Sequence, residues 1–279
     1  MMEARILFQE QTRNAWDEIA SGYDQFVTPS HNSLAEKTLR LAGLRSGMHF
    51  LDVAAGTGAL SLPAARLAAQ VVATDISPVM IQRLNARALE EGLSNLEGYV
   101  MDGHNLDLDD GAFDISASQY GVMLLQDLPQ ALREMARVTR PGGQVVVAVF
   151  GPPTQVEFLR FFLGAMKAVI PDFAGLPMDP PPLPFQVSDP EKLRQVMASA
   201  GLKDIRIERF SQELAFQSGE HLWNWVTNSH PIGAGMVAGL SEEQAFAVKQ
   251  ELDAMLRERA GRSSTAILIN PVNIGLSSR

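Results

Sequence analysis

Glycine and acidic residues follow the first two predicted strands in a pattern that suits a small-molecule site. The segment LDVAAGTGAL at 51–60 carries Gly56 and Gly58, which permit a tight turn and a close approach of the backbone to a ligand. Asp75 ends the next predicted strand. An acid at this place can accept hydrogen bonds from both hydroxyls of a ribose. The pattern therefore predicts a nucleoside site.

Two further strand ends carry polar residues or glycine. Asp102 and Gly103 follow the third predicted strand, and Gln119 and Tyr120 end the fourth. In a doubly wound sheet, ligands bind at the carboxyl ends of the strands, near the point where the strand order reverses. A single glycine turn after a strand is common, but four successive strand ends of this kind predict one shared site.

The charge beside the glycine turn separates two cofactor classes. Asp52 lies on the strand just before the turn, and Ser61 stands where the dinucleotide fingerprint G-x-G-x-x-G has its third glycine. An acid at this place repels a pyrophosphate and attracts a cation. Because S-adenosylmethionine carries both a sulfonium and an α-ammonium group, the sequence favours this cofactor over NAD.

The elements that position these residues alternate between 48 and 150. Short β-rich runs are separated by helical stretches whose apolar residues recur every three or four positions. The predicted strands are HFLDVA, QVVATDI, EGYVMD, FDISASQY and QVVVAVF. Pro-Gly-Gly at 141–143 is predicted to end a helix and begin a turn. We therefore predict an α/β fold with a doubly wound, mostly parallel, seven-stranded sheet.

The chain is predicted to form one globular unit with three parts. Residues 1–45 are predicted to be an N-terminal helical lid, residues 46–151 the cofactor-binding core, and residues 152–279 a helical cap with the closing strands. Seven of the sixteen prolines lie in 171–190, which is predicted to be a stiff loop.

Two segments of this cap carry more specific predictions. The run GLKDIRIERFSQELAF at 201–216 is predicted to be a late strand pair, and STAILINPVNIGLSS at 264–278 a closing strand. The run HLWNWVTNSHPIGAGM at 221–236 is predicted to be a helix and a flexible turn that closes an apolar pocket. A homodimer interface would use the same composition.

Composition argues against several other classes of protein. The formal net charge is −9, which disfavours a chain whose main task is to bind nucleic acid or anionic lipid. There are no cysteines, which excludes disulfides and thiolate metal sites, and no histidine and carboxylate cluster has ligand spacing. No signal peptide or membrane-length apolar run is visible. We predict a cytoplasmic protein without a metal site or stable membrane association.

These residues carry a resemblance to the class I S-adenosylmethionine-dependent methyltransferases, closest to the UbiE-like group of ubiquinone and menaquinone biosynthesis. LDVAAGTGAL resembles the first motif of the family, VVATDISPVM the second strand with its ribose-binding acid, and MDGHNL the adenine-edge motif. The likeness is dense from 48 to 150, and WDEIASGYDQF resembles the N-terminal cofactor lid. Ala54 and Ala55 depart from it, since the family often has Gly and Cys there.

The resemblance implies a Rossmann-like fold and a set of residues around the cofactor. The glycine loop would line the methionine part, Asp52 would lie near the cationic centre, Asp75 would hold the ribose, and Gln119, Tyr120 and Tyr23 would flank the sulfonium. The adenine would contact Ile76, Met80, Asp102 and Gly103. The implied cofactor residues are Tyr23, Asp52, Ala54, Gly56, Thr57, Gly58, Asp75, Ile76, Met80, Asp102, Gly103, Gln119 and Tyr120. Met80 would equally suit a helix core, and Asp102 a turn cap.

A catalytic base is optional, because methyl transfer depends mainly on alignment. For a phenol, an acidic carbon or a protonated amine, a base would add rate. Tyr23, His31 and Tyr120 are the candidates, although aromatic packing would explain both tyrosines equally well. His221 and His230 flank a tryptophan-containing helix and are candidate walls for the acceptor.

The sequence therefore predicts an S-adenosylmethionine-dependent methyltransferase, with S-adenosylhomocysteine as product, that acts on a small apolar or aromatic molecule at O, N or C. An enzyme that methylates proteins stays open. Two other classes stay open as well: an NAD(P)-dependent oxidoreductase, and a regulatory protein that binds S-adenosylmethionine without turnover.

Overall fold

A seven-stranded sheet forms the centre of the molecule. The computed structural model describes residues 2–67 and 70–279. The strands are β1 (His49–Val53), β2 (Gln70–Asp75), β3 (Leu96–Val100), β4 (Phe113–Gln119), β5 (Thr139–Phe150), β6 (Lys203–Phe216) and β7 (Ala266–Ser278). Their order is β3-β2-β1-β4-β5-β7-β6, with β7 antiparallel to both neighbours and the other pairs parallel. The predicted α/β, doubly wound and mostly parallel sheet is confirmed.

Helices cover the sheet, and some of them pack with each other in a second cluster. They are α1 (Met2–Gly22), α2 (Asn32–Leu41), α3 (Ser61–Ala65), α4 (Pro78–Glu90), α5 (Leu128–Val138), α6 (Glu157–Val169), α7 (Pro190–Ser199), α8 (Gly219–Ser229), α9 (Pro231–Val237) and α10 (Glu242–Ala260). In the part of the chain that the structure describes, no helix combines the length and the apolar character needed to span a bilayer.

Three local predictions were wrong. Residues 203–216 form one strand rather than a strand pair, because β6 pairs with β7 along its length. Pro-Gly-Gly at 141–143 lies inside β5, which begins directly where α5 ends. The predicted flexible turn after α8 is the helix α9, which has Pro231 in its first turn and the side chain of His230 as its N-cap.

The buried apolar residues form two clusters that share the long β6–β7 pair. The first cluster holds the sheet and includes Leu51, Val146 and Ile274. The second lies between α6, α8 and α10 and includes Phe162 and Trp225. Because the ends of β6 and β7 near 214–216 and 266–268 pack in the second cluster, the strand pair joins the sheet to the helices beyond it.

The N-terminal segment is held against the glycine turn after β1. Asp24 forms ion pairs with Arg83 and Arg87 of α4, at 3.5 and 3.1 Å. Arg87 also donates to the carbonyl oxygen of Thr57, and the hydroxyls of Thr28 and Thr57 lie 2.6 Å apart. The N-terminal segment and the turn are thus fixed to each other by polar contacts.

The contact between α8 and α10 leaves no room for a side chain at Gly219. A methyl group there would lie 2.1 Å from the carbonyl oxygen of Lys249. We expect Gly219→Ala to lower the free energy of unfolding by about 1 to 3 kcal/mol, because one helix must move. Gly239→Ala is the control, since nothing lies within 4 Å of its added methyl group. Equal stability of the two variants in urea denaturation would contradict this packing.

Candidate active site

A cavity of about 710 Å³ opens at the carboxyl ends of the parallel strands, between the sheet and the N-terminal segment. Many of the predicted cofactor residues line it: Tyr23, Ala54, Gly56, Asp75, Ile76, Met80, Asp102, Gly103, Gln119 and Tyr120. Asp52, Thr57 and Gly58 are not among its lining residues. Asp52 lies behind the glycine turn, the hydroxyl of Thr57 meets Thr28, and Gly58 faces Leu62 and Leu84.

The glycine turn owes its shape to three left-handed backbone positions. Gly56 has φ +56° and Gly58 has φ +95°. A methyl group at Gly56 would lie 3.4 Å from the ring of Tyr23, so the tyrosine packs directly on this backbone. Ala54 has φ +55°, a conformation that is strained for a residue with a Cβ. The alanine that departs from the family pattern is therefore accommodated at a cost in backbone energy.

Asp75 connects the glycine turn to the start of α4. One carboxylate oxygen accepts from the backbone N–H of Gly56 and the other from that of Ser77, both at 2.9 Å. Burial raises the pKa of Asp75, while these amide hydrogen bonds oppose the rise. Each oxygen keeps a further lone pair, so the carboxylate could also accept two ligand hydroxyls.

Asp52 is a buried acid behind the turn. Ser61 donates to its Oδ2 at 2.5 Å, whereas its Oδ1 has no hydrogen-bond partner. Burial raises the pKa of Asp52 to about 7, and the nearby charge of Asp75 adds to the rise against the hydrogen bond from Ser61. A cation in the cavity would favour the ionised carboxylate. Ser61, which stands where the dinucleotide fingerprint has its third glycine, thus donates a hydrogen bond to this acid.

Gln119 presents an unpaired amide at the end of β4. Both its Oε1 and its Nε2 are buried without a hydrogen-bond partner, and the residue lines the cavity. Unpaired buried polar atoms are costly and call for a partner. A ligand with both a donor and an acceptor, such as an α-amino acid group, would satisfy them. The orphaned amide fits S-adenosylmethionine on this ground.

Asp102 is already paired with the N-terminal helix. Gln9 of α1 donates its side-chain amide to Oδ2 at 2.5 Å, and His104 donates its backbone N–H to Oδ1 at 2.9 Å. Burial alone would raise the pKa of Asp102, but the hydrogen bonds from His104 outweigh it and the pKa is lowered. The carboxylate therefore accepts from amide-type donors at the wall of the cavity.

The three candidate bases are poorly suited to accept a proton. Burial raises the pKa of Tyr23 and of Tyr120, and the hydroxyl of Tyr120 donates to Gln212 Oε1 at 2.7 Å. Burial lowers the pKa of His31 to about 4, and the residue is not among those that line the cavity. His31 instead packs between the rings of Tyr120 and Trp225. The structure thus assigns these side chains to an aromatic cluster.

An apolar part of the cavity lining comes from distant parts of the chain. Its residues are Trp16, Leu124, Leu125, Leu183, Pro231 and Ile232, with His230 among them. His221 is not among the residues that line the cavity. Sequence reasoning missed Gln9 and Leu183 as cavity residues, because neither stands in a motif or at a strand end. Among the described residues, no group of three histidines or acids could hold a metal ion.

The raised pKa of Asp52 makes stability depend on pH. Because its pKa in the fold, about 7, exceeds the ordinary value, the unfolded chain releases this proton at lower pH than the native protein. Ionised Asp52 therefore destabilises the fold increasingly as pH rises from about 4 to 7. We expect Asp52→Asn to gain stability over the wild type more at pH 8 than at pH 5, measured by urea denaturation. A difference independent of pH would contradict the burial of a titrating acid.

Comparison with known proteins agrees with this geometry. Residues 6–180 match the model of the ubiE/COQ5 methyltransferase family. A protein of Mycobacterium bovis without an assigned function is 43% identical over 106 residues, which are 38% of this chain and 38% of that protein. The chain thus matches well under half the length of this relative.

A further relative and a solved structure are methyltransferases with named activities. The ubiquinone/menaquinone biosynthesis C-methyltransferase UbiE of Bdellovibrio bacteriovorus is 30% identical over 173 residues, covering 60% of this chain and 73% of the relative. Phosphoethanolamine N-methyltransferase 2 of Haemonchus contortus, solved with S-adenosyl-L-methionine, has a TM-score of 0.55 at 16% identity, over 88% of this chain and 52% of that one. This second likeness shows the fold alone.

Proposed function

The chain belongs to the ubiE/COQ5 methyltransferase family, and we propose that it transfers the methyl group of S-adenosylmethionine to a small apolar or aromatic molecule. The observation that carries the proposal is a cavity whose lining combines acids and an unpaired amide with apolar side chains. The polar groups suit a cationic nucleoside, and the apolar side chains suit an apolar acceptor bound in the same cavity.

Each part of the cofactor would meet a group of matching chemistry. Asp75 would accept from the ribose hydroxyls, and the amide of Gln119 would pair with the α-amino acid group. Ile76 and Met80 would pack on adenine, and Asp102 would accept from its amine. Tyr23 lies on Gly56, where a ring can face a cationic sulfur.

The cavity lining would disfavour an anionic acceptor. No lysine or arginine is among the described residues that line the cavity, whereas Asp75, Asp102 and Asp127 are. An anionic acceptor would therefore lose its hydration without gaining a cationic partner. We propose that residues 152–279 act as the acceptor-binding cap, since Leu183, His230 and Ile232 reach the cavity from there.

When bound, S-adenosylmethionine supplies an electrophilic methyl group and leaves as the neutral thioether S-adenosylhomocysteine. The chain's own contribution would be alignment of the acceptor and exclusion of water, which can supply effective molarities of about 10⁵ to 10⁸ M. Burial raises the pKa of Tyr23 and of Tyr120, so both phenols stay protonated at neutral pH and neither would take the proton that an acceptor releases.

Calorimetric titration with S-adenosylhomocysteine, NAD and NADP tests the cofactor. We expect binding of the first alone, and we expect Asp75→Asn to weaken it by about 1 to 3 kcal/mol, since a charged acceptor is lost. Asp127→Asn is the matched control, because Asp127 also lines the cavity but caps α5 through Gln130. Transfer of a labelled methyl group to quinols, phenols and amines tests the reaction, and binding of NAD instead would reject the proposal.

The contact between Gln9 and Asp102 provides a separate test of where adenine lies. If the exocyclic amine of adenine binds Asp102 in the place of Gln9, it displaces the amide hydrogen bond to Oδ2. We expect Gln9→Ala to tighten binding of S-adenosylhomocysteine by about 1 kcal/mol, the net value of one hydrogen bond. Gln11→Ala, another change in the part of α1 that lines the cavity, is the control. Weaker binding by Gln9→Ala would instead make Gln9 a ligand of the cofactor.

A further inference from the structure

His230 and His104 are the two histidines among the described residues that line the cavity, and His104 is paired with Asp102. His230 stands between α8 and α9 and is mostly buried. Its Nδ1 accepts a hydrogen bond from the backbone N–H of Ile232 at 2.9 Å and so caps α9. Because that nitrogen is an acceptor, the neutral ring carries its proton on Nε2.

The environment keeps this ring neutral and oriented. Burial lowers the pKa of His230 to about 4. The ring of Trp16 stands nearly perpendicular to the imidazole, with centroids 5.3 Å apart. The cap on one side and the indole on another fix the direction of the ring. Within the described part of the chain, the hydrogen bond from Ile232 to Nδ1 is the only one to this ring, and the residue lines the cavity, so its Nε2–H is a donor available to a ligand.

We propose that His230 binds the methyl acceptor by donating its Nε2–H to an oxygen atom of a neutral apolar molecule, such as a phenol, an enol or a ketone. This inference rests on the proposed function and narrows its acceptor class. A neutral donor at an apolar wall recognises an oxygen lone pair without needing a charge on the ligand. The acidic residues that line the same cavity disfavour a carboxylate or phosphate.

The geometry also defines what His230 does not do. A general base needs an available lone pair, and the lone pair of this imidazole already accepts from Ile232. His230 therefore orients the acceptor instead of removing its proton. Its loss should raise the KM for the acceptor more than it lowers kcat.

Two substitutions separate the donor from the helix cap. In His230→Asn, the shorter amide can still accept from Ile232 but does not reach the position of Nε2. In His230→Gln, the longer amide can place an N–H near that position. His221→Asn is the matched control, because His221 receives only a long contact of 3.5 Å from Gln217 and is not a cavity residue.

The test measures binding of three matched probes, p-cresol, toluene and p-toluate, by ligand-observed NMR with S-adenosylhomocysteine at saturation. We expect wild type and His221→Asn to bind p-cresol about fivefold more tightly than toluene, the effect of one hydrogen bond, and p-toluate least. His230→Asn should bind p-cresol and toluene equally, and His230→Gln should restore part of the preference. In ¹⁵N-histidine spectra, the signal that His230→Asn removes should report Nε2–H.

Three results would overturn the inference. One is a wild type without preference for p-cresol, whether all probes bind equally or none binds. The second is a preference that survives in His230→Asn, and the third is a proton on Nδ1. Failure of S-adenosylhomocysteine itself to bind would instead reject the proposed function, so the two failures are distinguishable.

Discussion

The candidate site depends on one carboxylate at the end of β2. Asp75 accepts from Gly56 in the turn after β1 and from Ser77 at the start of α4, so it ties together two loops that the parallel sheet only brings near each other. The left-handed backbone at Gly56 is what turns its N–H toward the acid. Burial makes this arrangement costly for a charge, which the two amide hydrogen bonds partly offset. The same acid lines the cavity, where its remaining lone pairs are available to a ligand.

A second acid sets the electrostatic character of the cavity. Asp52 is buried with one oxygen unpaired, close enough to Asp75 for each charge to disfavour the other. In the absence of a cation, the proton that Asp52 retains up to a pH of about 7 relieves this repulsion. A positively charged ligand would reduce the repulsion between the two carboxylates in place of that proton. The pair therefore couples protonation to the charge of the ligand, a property that an apolar strand end would not have.

Much of the sheet and several of the residues that line the cavity could be predicted from the sequence, because both rest on local patterns. The β1 turn and the strand-end residues Asp75, Asp102 and Gln119 stand at positions where a parallel sheet converges its strand ends. The remainder depends on contacts between distant residues. Gln9 reaches Asp102 across 93 positions, and no periodicity of α1 indicates that pairing. The helix α9 was missed because its N-cap is a histidine, which is not among the residues that usually signal a helix start.

The N-terminal segment contributes to the wall of the cavity beside the glycine turn. Tyr23 covers Gly56, while Asp24 pairs with Arg83 and Arg87 beside the same turn. These ion pairs are partly exposed and individually weak. Aromatic contacts continue from this segment, since Trp16 meets both Tyr23 and His230. The cavity is lined by Trp16, Tyr23 and His230, so its wall depends on packing of the N-terminal segment against the junction of α8 and α9.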